Sequence, residues 1–170
     1  MVSNVFPNKQ LGYRLDRFMQ IYTVCFFGHR ELYDLKAIEE KLTPVIKELI
    51  KTKPYVAFLI GRNGEFDEYA ASVIKSVCKR EGRENSDLTL VLPYNVSDIE
   101  YYQKYYDGVI IPECVIGAHP KSAIGLRNRW MAEQSELVIV NVERQSGGAY
   151  KAMKYAESMN KKIINLYTKK

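Results

Sequence analysis

The chain has 170 residues, the size of a single domain. Its composition of 46% hydrophobic and 26% charged residues, with 10 Gly and 6 Pro, excludes a disordered, collagen-like or low-complexity chain, and no apolar run approaches the ~20 residues that span a bilayer. Twenty-five Lys and Arg against 20 Asp and Glu leave a net charge of +5, which favours anionic partners without choosing among phosphate ligands, nucleic acid and anionic membrane.

Residues 1–20 carry Asn, Lys, Arg and Asp among their apolar positions and lack the continuous apolar core of a signal peptide, so a soluble, cytoplasmic protein is expected. Leu11, Leu15, Phe18 and Met19 would share one helical face. They make this segment an N-terminal arm or extra helix, packed on the edge of the core or at an oligomer contact. Residues 21–170 are then one domain.

Residues 21–27 are β-branched and aromatic and stop at Gly28, a buried strand. Asp34 is the expected N-cap of a helix that places Leu35, Ile38, Leu42, Val45, Ile46 and Leu49 at helical spacing. Pro44 interrupts that pattern and predicts a kink or a late second start. Pro54 leads into a second strand, Tyr55–Ile60, ending at Gly61. A helix follows from Phe66 to about Arg80, with Ala70, Val73, Ile74 and Val77 inward and Gly82 near its end. Leu88–Leu92 reads as a third strand closed by Pro93, residues 98–106 as a short helix carrying four tyrosines, and Gly108–Ile111 as another strand. Residues 113–125 read as loop, with His119 exposed and inert. A helix through Arg127–Gln134, a strand over Leu137–Val142, a helix from about Ala149 to Met159 and a last strand, Lys162–Leu166, complete the pattern.

Strands alternating with helices of 10–15 residues predict a doubly wound α/β fold: a mainly parallel Rossmann-like sheet with helices on both faces. Ligands of such sheets sit beyond the carboxyl ends of the strands. The three cysteines, Cys25, Cys78 and Cys114, are far apart and without a Cys-x-x-Cys, so reduced thiols are expected and neither a disulfide framework nor a metal or cofactor.

Three strand-to-helix junctions join glycine to polar groups: Gly28-His29-Arg30, Gly61-Arg62-Asn63-Gly64-Glu65-Phe66-Asp67, and Ser146-Gly147-Gly148-Ala149-Tyr150. A helix beginning at such a junction presents unpaired N–H groups and the positive end of its dipole, a site for an anion and above all for phosphate. No Walker loop and no Gly-x-Gly-x-x-Gly is present. His29 either donates to a phosphate, works as an acid or base, or caps the following turn. Glu65 and Asp67 either cap a helix or hold ribose hydroxyls and activate water. Arg127 and Arg129 flank Asn128 and diverge on a helix, one toward a ligand and the other toward solvent. The tyrosines of residues 101–106, with Tyr94, either form a packing face or offer rings on which bases stack.

Phe26-Phe27-Gly28-His29-Arg30, the Gly61–Ala71 stretch, Leu126-Arg127-Asn128-Arg129-Trp130-Met131, and Ser146-Gly147-Gly148 with Tyr150 to Ala156 together resemble the SLOG superfamily, and within it the YpsA-like bacterial branch. The resemblance spans roughly residues 21–167. It implies a Rossmann-like fold that binds nucleotides or nucleotide-derived ligands, in a superfamily that includes phosphoribohydrolases, a DNA-processing protein that binds single strands, and sensor domains. By position it implies that Gly28, Gly61, Gly64, Ser146, Gly147 and Gly148 line a phosphate and ribose site with Arg127 beside it. The phosphoribohydrolases carry a glutamate soon after their double glycine. Here Ala149-Tyr150-Lys151-Ala152-Met153-Lys154 follows, with no carboxylate before Glu157.

The leading expectation is a nucleotide-binding sensor or signalling domain, as a homodimer. Its site would be Gly28, His29, Arg30, Gly61, Gly64, Glu65, Asp67, Arg127, Asn128, Ser146, Gly147, Gly148 and Tyr150. The alternatives are a nucleotide N-glycosidase using Glu65, Asp67 or His29, and single-stranded DNA binding.

Overall fold

The computed structural model describes residues 20–82 and 84–168. The N-terminal arm expected over residues 1–20 therefore lies, but for its last residue, outside the described residues. Six strands form one sheet: β1 (Ile21–Gly28), β2 (Tyr55–Ile60), β3 (Ser86–Val91), β4 (Gly108–Ile110), β5 (Leu137–Asn141) and β6 (Lys162–Asn165). Between them lie α1 (Leu35–Thr52), α2 (Glu65–Glu81), α3 (Ile99–Tyr105), α4 (Pro120–Gln134) and α5 (Gly147–Ser158), with a 3-10 turn at Glu113–Val115.

The sheet runs β4-β3-β2-β1-β5-β6 with every pair parallel. This is the doubly wound α/β, Rossmann-like architecture that the alternation of periods predicts. Its two-layer core follows from the two-residue repeat of a strand. In β1, Val24 and Phe26 join Phe58, Ile60, Leu88, Leu90 and Ile139 beneath α1 and α2. Their neighbours Cys25 and Phe27 join Leu59, Val91, Val138 and Val140 beneath α4 and α5. Because both faces are covered, the central strands read as continuous apolar runs.

Several local expectations change. Pro44 gives no second start: α1 continues through it for 18 residues. Ile38, Leu42, Ile46, Leu49 and Ile50 form one buried face on either side of the proline, and burial of that face outweighs one missing helical hydrogen bond. The segment over residues 113–125 is not all loop. It contains the 3-10 turn, and α4 starts at Pro120, seven residues before Arg127. His119 is exposed, as expected, but has a structural role: its Nδ1 accepts the Lys121 N–H at 3.2 Å and caps α4, with Pro120 in the first helical position. The last helix begins at Gly147, so the double glycine is its first turn.

From β1 the chain winds outward through β2, β3 and β4, then α4 carries it back to β5 on the other side of β1. The direction of winding therefore reverses between β1 and β5, and a crevice opens there at the carboxyl ends of the strands.

Candidate functional site

The crevice is a cleft of about 460 Å³. Of the expected site residues, Gly28, His29, Arg30, Gly61, Asp67, Arg127, Asn128, Ser146, Gly147 and Gly148 line it. Gly64, Glu65 and Tyr150 do not.

The three junctions prove to be different. At Gly28 the space a Cβ would take is filled by the ring of Phe66, a fully buried side chain of α2. At Gly64 a Cβ would lie 2.7 Å from Arg30 Cα. The Glu65 N–H donates to the Arg30 carbonyl at 2.9 Å, and the Glu65 carboxylate accepts the Leu32 N–H at 2.7 Å. The start of α2 is thus docked on the loop after β1, and Glu65 is a structural ligand of that loop. Tyr150 packs against the core layer under α5.

Gly61 is enclosed by charge. Arg127, reaching in from α4, lies against it on one side, and Asp67 Oδ2 would be 2.8 Å from a Cβ there. Arg127 is 3% exposed. Its Nη1 donates to the Val91 carbonyl at 2.7 Å and its Nη2 to Asn63 Oδ1 at 2.9 Å, while its Nε has no partner. Burial pulls the Arg127 pKa down, opposed by the Asp67 charge. Asp67 accepts the Asn63 N–H at 3.0 Å. Burial pushes its carboxyl up to about 6, with Arg127 opposing. The divergence expected on this helix is present: Arg129 is exposed, with its guanidinium 5.3 Å from the centre of the Tyr155 ring.

The third junction is open. Gly147 has φ +88°, a left-handed conformation that disfavours a side chain. Nothing lies within 4 Å of where a Cβ on Gly148 would stand. Ser146 makes no capping hydrogen bond with its side chain, so the first N–H groups of α5 have no partner from within the helix or from its cap. Arg30 and Arg144 line the same cleft.

His29 holds this junction in place. Its Nε2 accepts from the N–H of Glu143 and of Arg144, both at 3.1 Å. The imidazole therefore carries its proton on Nδ1 and ties the end of β1 to the loop that delivers α5. Burial, then the neighbouring Arg144, holds its pKa below the ordinary 6.5. Of the roles considered for His29, tying down a turn is the one whose hydrogen bonds are seen, and the turn is the β5–α5 loop, not the turn next along the chain.

Sequence reasoning gave no role to Asn63, Arg144, Ile124 or Met131, all of which line the cleft. Arg144 sits directly before Gln145-Ser146-Gly147-Gly148 at a strand end, a signal that could have found it. Asn63 is fixed through its pairing with Asp67 four residues on and with Arg127, which is distant in sequence. Among the described residues no group of three or more His, Cys, Asp or Glu side chains can hold a metal ion, and no helix is long and apolar enough to cross a membrane.

No family model and no curated protein matches the chain. Solved structures do. The DNA processing protein A (DprA) of Streptococcus pneumoniae superposes with a TM-score of 0.59 at 18% identity, over 84% of this chain and 49% of that one. DprA of Helicobacter pylori, whose structure concerns its single-stranded DNA binding mode, superposes with a TM-score of 0.57 at 14% identity, over 84% of this chain and 63% of that one. The chain thus spans less than two thirds of either neighbour, and the likeness is one of fold.

Proposed function

We propose that this chain binds a nucleotide or nucleotide-derived ligand in the cleft between β1 and β5, with a phosphate at the start of α5, as a cytoplasmic binding or sensor module of the SLOG, YpsA-like kind. One observation carries the reading. Among the glycines of the three junctions, those at the start of α5 are the ones whose space is not filled by the protein's own side chains, and they open into a cleft bordered by Arg30, Arg127 and Arg144. Unpaired amides, a helix dipole and cations converging on one hollow favour an anion. A cleft of about 460 Å³ falls within the range of small-ligand sites.

Thermal unfolding in the presence of nucleoside phosphates, ADP-ribose and cyclic nucleotides tests this. A ligand that binds only the folded state at 100 times its Kd adds about 2.7 kcal/mol, a rise of roughly 5–10 °C in Tm for a domain of this size. The absence of a shift with every phosphate-bearing compound overturns the reading.

A second reading, single-stranded DNA in the same cleft, is favoured by the fold shared with a DprA studied for its single-stranded DNA binding and by the net charge of +5. It predicts oligonucleotide affinity that falls linearly with log salt, with a slope of about −0.7 per phosphate contacted; binding indifferent to salt removes it. The N-glycosidase alternative narrows to Asp67, because Glu65 does not line the cleft and the His29 Nε2 is taken by two backbone N–H groups. Freed base from nucleoside monophosphates, followed by chromatography, decides it.

A further inference from the structure

The cleft does not end at Gly61. The next residue, Arg62, points its guanidinium away along the rim to α3, where it donates to the Tyr102 hydroxyl and lies 4.9 Å from the centre of the Tyr102 ring. Tyr102 and Tyr106 lean inward on the core layer beneath α1 and α2. Their neighbours do not: Tyr101 is 67% exposed, and Tyr94, at the end of β3, is 42% exposed. Tyr101 meets Tyr102 edge-on, with centroids 5.4 Å apart at 81°, an arrangement that covers at most one face of either ring. Tyr105 differs, since Lys75 Nζ sits 3.8 Å over its ring. The rim beyond the cleft therefore presents two large aromatic side chains to solvent: Tyr101, on the helix that Arg62 and Lys75 reach and that carries the exposed Lys104, and Tyr94, three residues past the Val91 carbonyl that holds Arg127. Asp98 is the N-cap residue of α3 and Glu100 stands in its first turn, which leaves the Arg62 side as the path for an anionic backbone.

We propose that Tyr94 and Tyr101 form a base-stacking track for single-stranded DNA, continuous with the cleft through the Gly61–Gly64 loop, so that one nucleotide occupies the cleft and the next ones stack on these rings. The proposal rests on the single-strand reading above and goes beyond it by naming where a strand leaves the cleft. Stacking suits this surface because every base has a π-face, so rings without a hydrogen-bonding frame hold a strand of any sequence. The cations beside the rings answer the phosphates between the bases.

Fluorescence anisotropy with oligothymidylates of one to six nucleotides, and competition by thymidine 5′-monophosphate, tests it on the unaltered chain. Affinity is expected to tighten about tenfold per nucleotide over the first two additions and then level off. Tyr94→Ala and Tyr101→Ala should each cost the trinucleotide about tenfold and the mononucleotide nothing, while Tyr101→Phe keeps the gain. A blunt duplex long enough to stay paired should fail to compete, because its bases are already stacked. Affinity independent of length, with the mononucleotide still bound, overturns the track and leaves the cleft reading standing, as does equal competition by duplex. Failure of mononucleotide and oligonucleotides alike overturns both. The length series needs no variant, so a substitution that unfolds the chain does not remove the test.

Discussion

Arg127 and Asp67 face each other across Gly61, one from the helix before β5 and the other from the first turn after β2, and the missing side chain of Gly61 is what lets both reach the cleft wall. Adding one methyl there should be costly, since neither neighbour is a loose surface group: Arg127 is held by Val91 and Asn63, and Asp67 by the Asn63 amide. Gly61→Ala is expected to lose about 1–3 kcal/mol of stability, read as a lower urea midpoint at unchanged m-value. An unchanged midpoint would show that the wall yields.

Arg127→Met keeps the bulk and removes the charge. The Val91 carbonyl and Asn63 Oδ1 then lose their donor, and Asp67 loses the cation that opposes its burial. Stability should drop by about 1–3 kcal/mol, and the Asp67 carboxyl, already at about 6, should titrate higher still by NMR. Adding Asp67→Asn should restore part of the loss, because a neutral amide needs no cation. Strict additivity of the two substitutions would show that the pair is not coupled.

The His29 staple sets an acid limit. Its pKa is lowered in the folded protein, so the unfolded chain binds the proton more readily, and stability falls as pH drops below the ordinary value of 6.5. Protonation also turns the acceptor of two backbone N–H groups into a donor facing them. Thermal melts from pH 7.5 to 5 should show that the natural chain loses stability relative to His29→Asn as pH falls, whatever Asp67 adds to both, because the variant starts lower at pH 7.5 and lacks the histidine component of the slope. Parallel curves would contradict the staple.

Asp67 is expected to couple the proposed ligand to a proton. An anion in the cleft disfavours the carboxylate, so binding takes up a proton and affinity rises as pH falls from 8 towards about 6, the free-state value of this group. A cyclic nucleotide is the right ligand, since its phosphodiester does not titrate in this range. Asp67→Asn should bind it more tightly at pH 8 and with a shallower slope over the interval, the remainder being that of His29 in the same cleft, as calorimetry would measure. An undiminished slope in the variant would assign the proton elsewhere.

The two glycines that begin α5 should respond oppositely to a methyl. Gly147 has φ +88°, so Gly147→Ala is expected to cost about 1–2 kcal/mol. At Gly148 the added Cβ meets nothing, so Gly148→Ala should be neutral or stabilising by up to about 1 kcal/mol and yet weaken a phosphate ligand by occupying the space above the amides. Unaltered affinity in Gly148→Ala would move the anion away from the start of α5.

The architecture was legible because it rests on local repeats. The alternation within β1 that sends Val24 and Phe26 to one layer and Cys25 and Phe27 to the other is a two-residue period, and the buried stripe of α1 a helical one; both are visible in a window of a dozen residues. Where a local signal and tertiary packing disagreed, packing won. Pro44 sits inside a helix because the stripe on both sides of it is buried, and α4 starts at Pro120 because proline fits a first turn as well as it fits a loop.

Most residues that line the cleft were legible as positions, but not what fills or holds them. Glycines at the ends of β1 and β2 carry the same letter as those at the start of α5. Only the folded chain shows that Phe66, Arg127 and Asp67 already fill the space at Gly28 and Gly61, while Gly147 and Gly148 stay open. His29 could be placed at a strand end, but its partners are 114 and 115 residues away. Chain order and residue type thus determined the layers, the parallel sheet and the rim at which the cleft opens, since these follow from short-range periodicity and the handedness of crossovers. Which loop at that rim is free, which charges are buried together and which ring faces water were decided by tertiary contacts alone, because occupancy of space depends on side chains that meet only after the strands are in register.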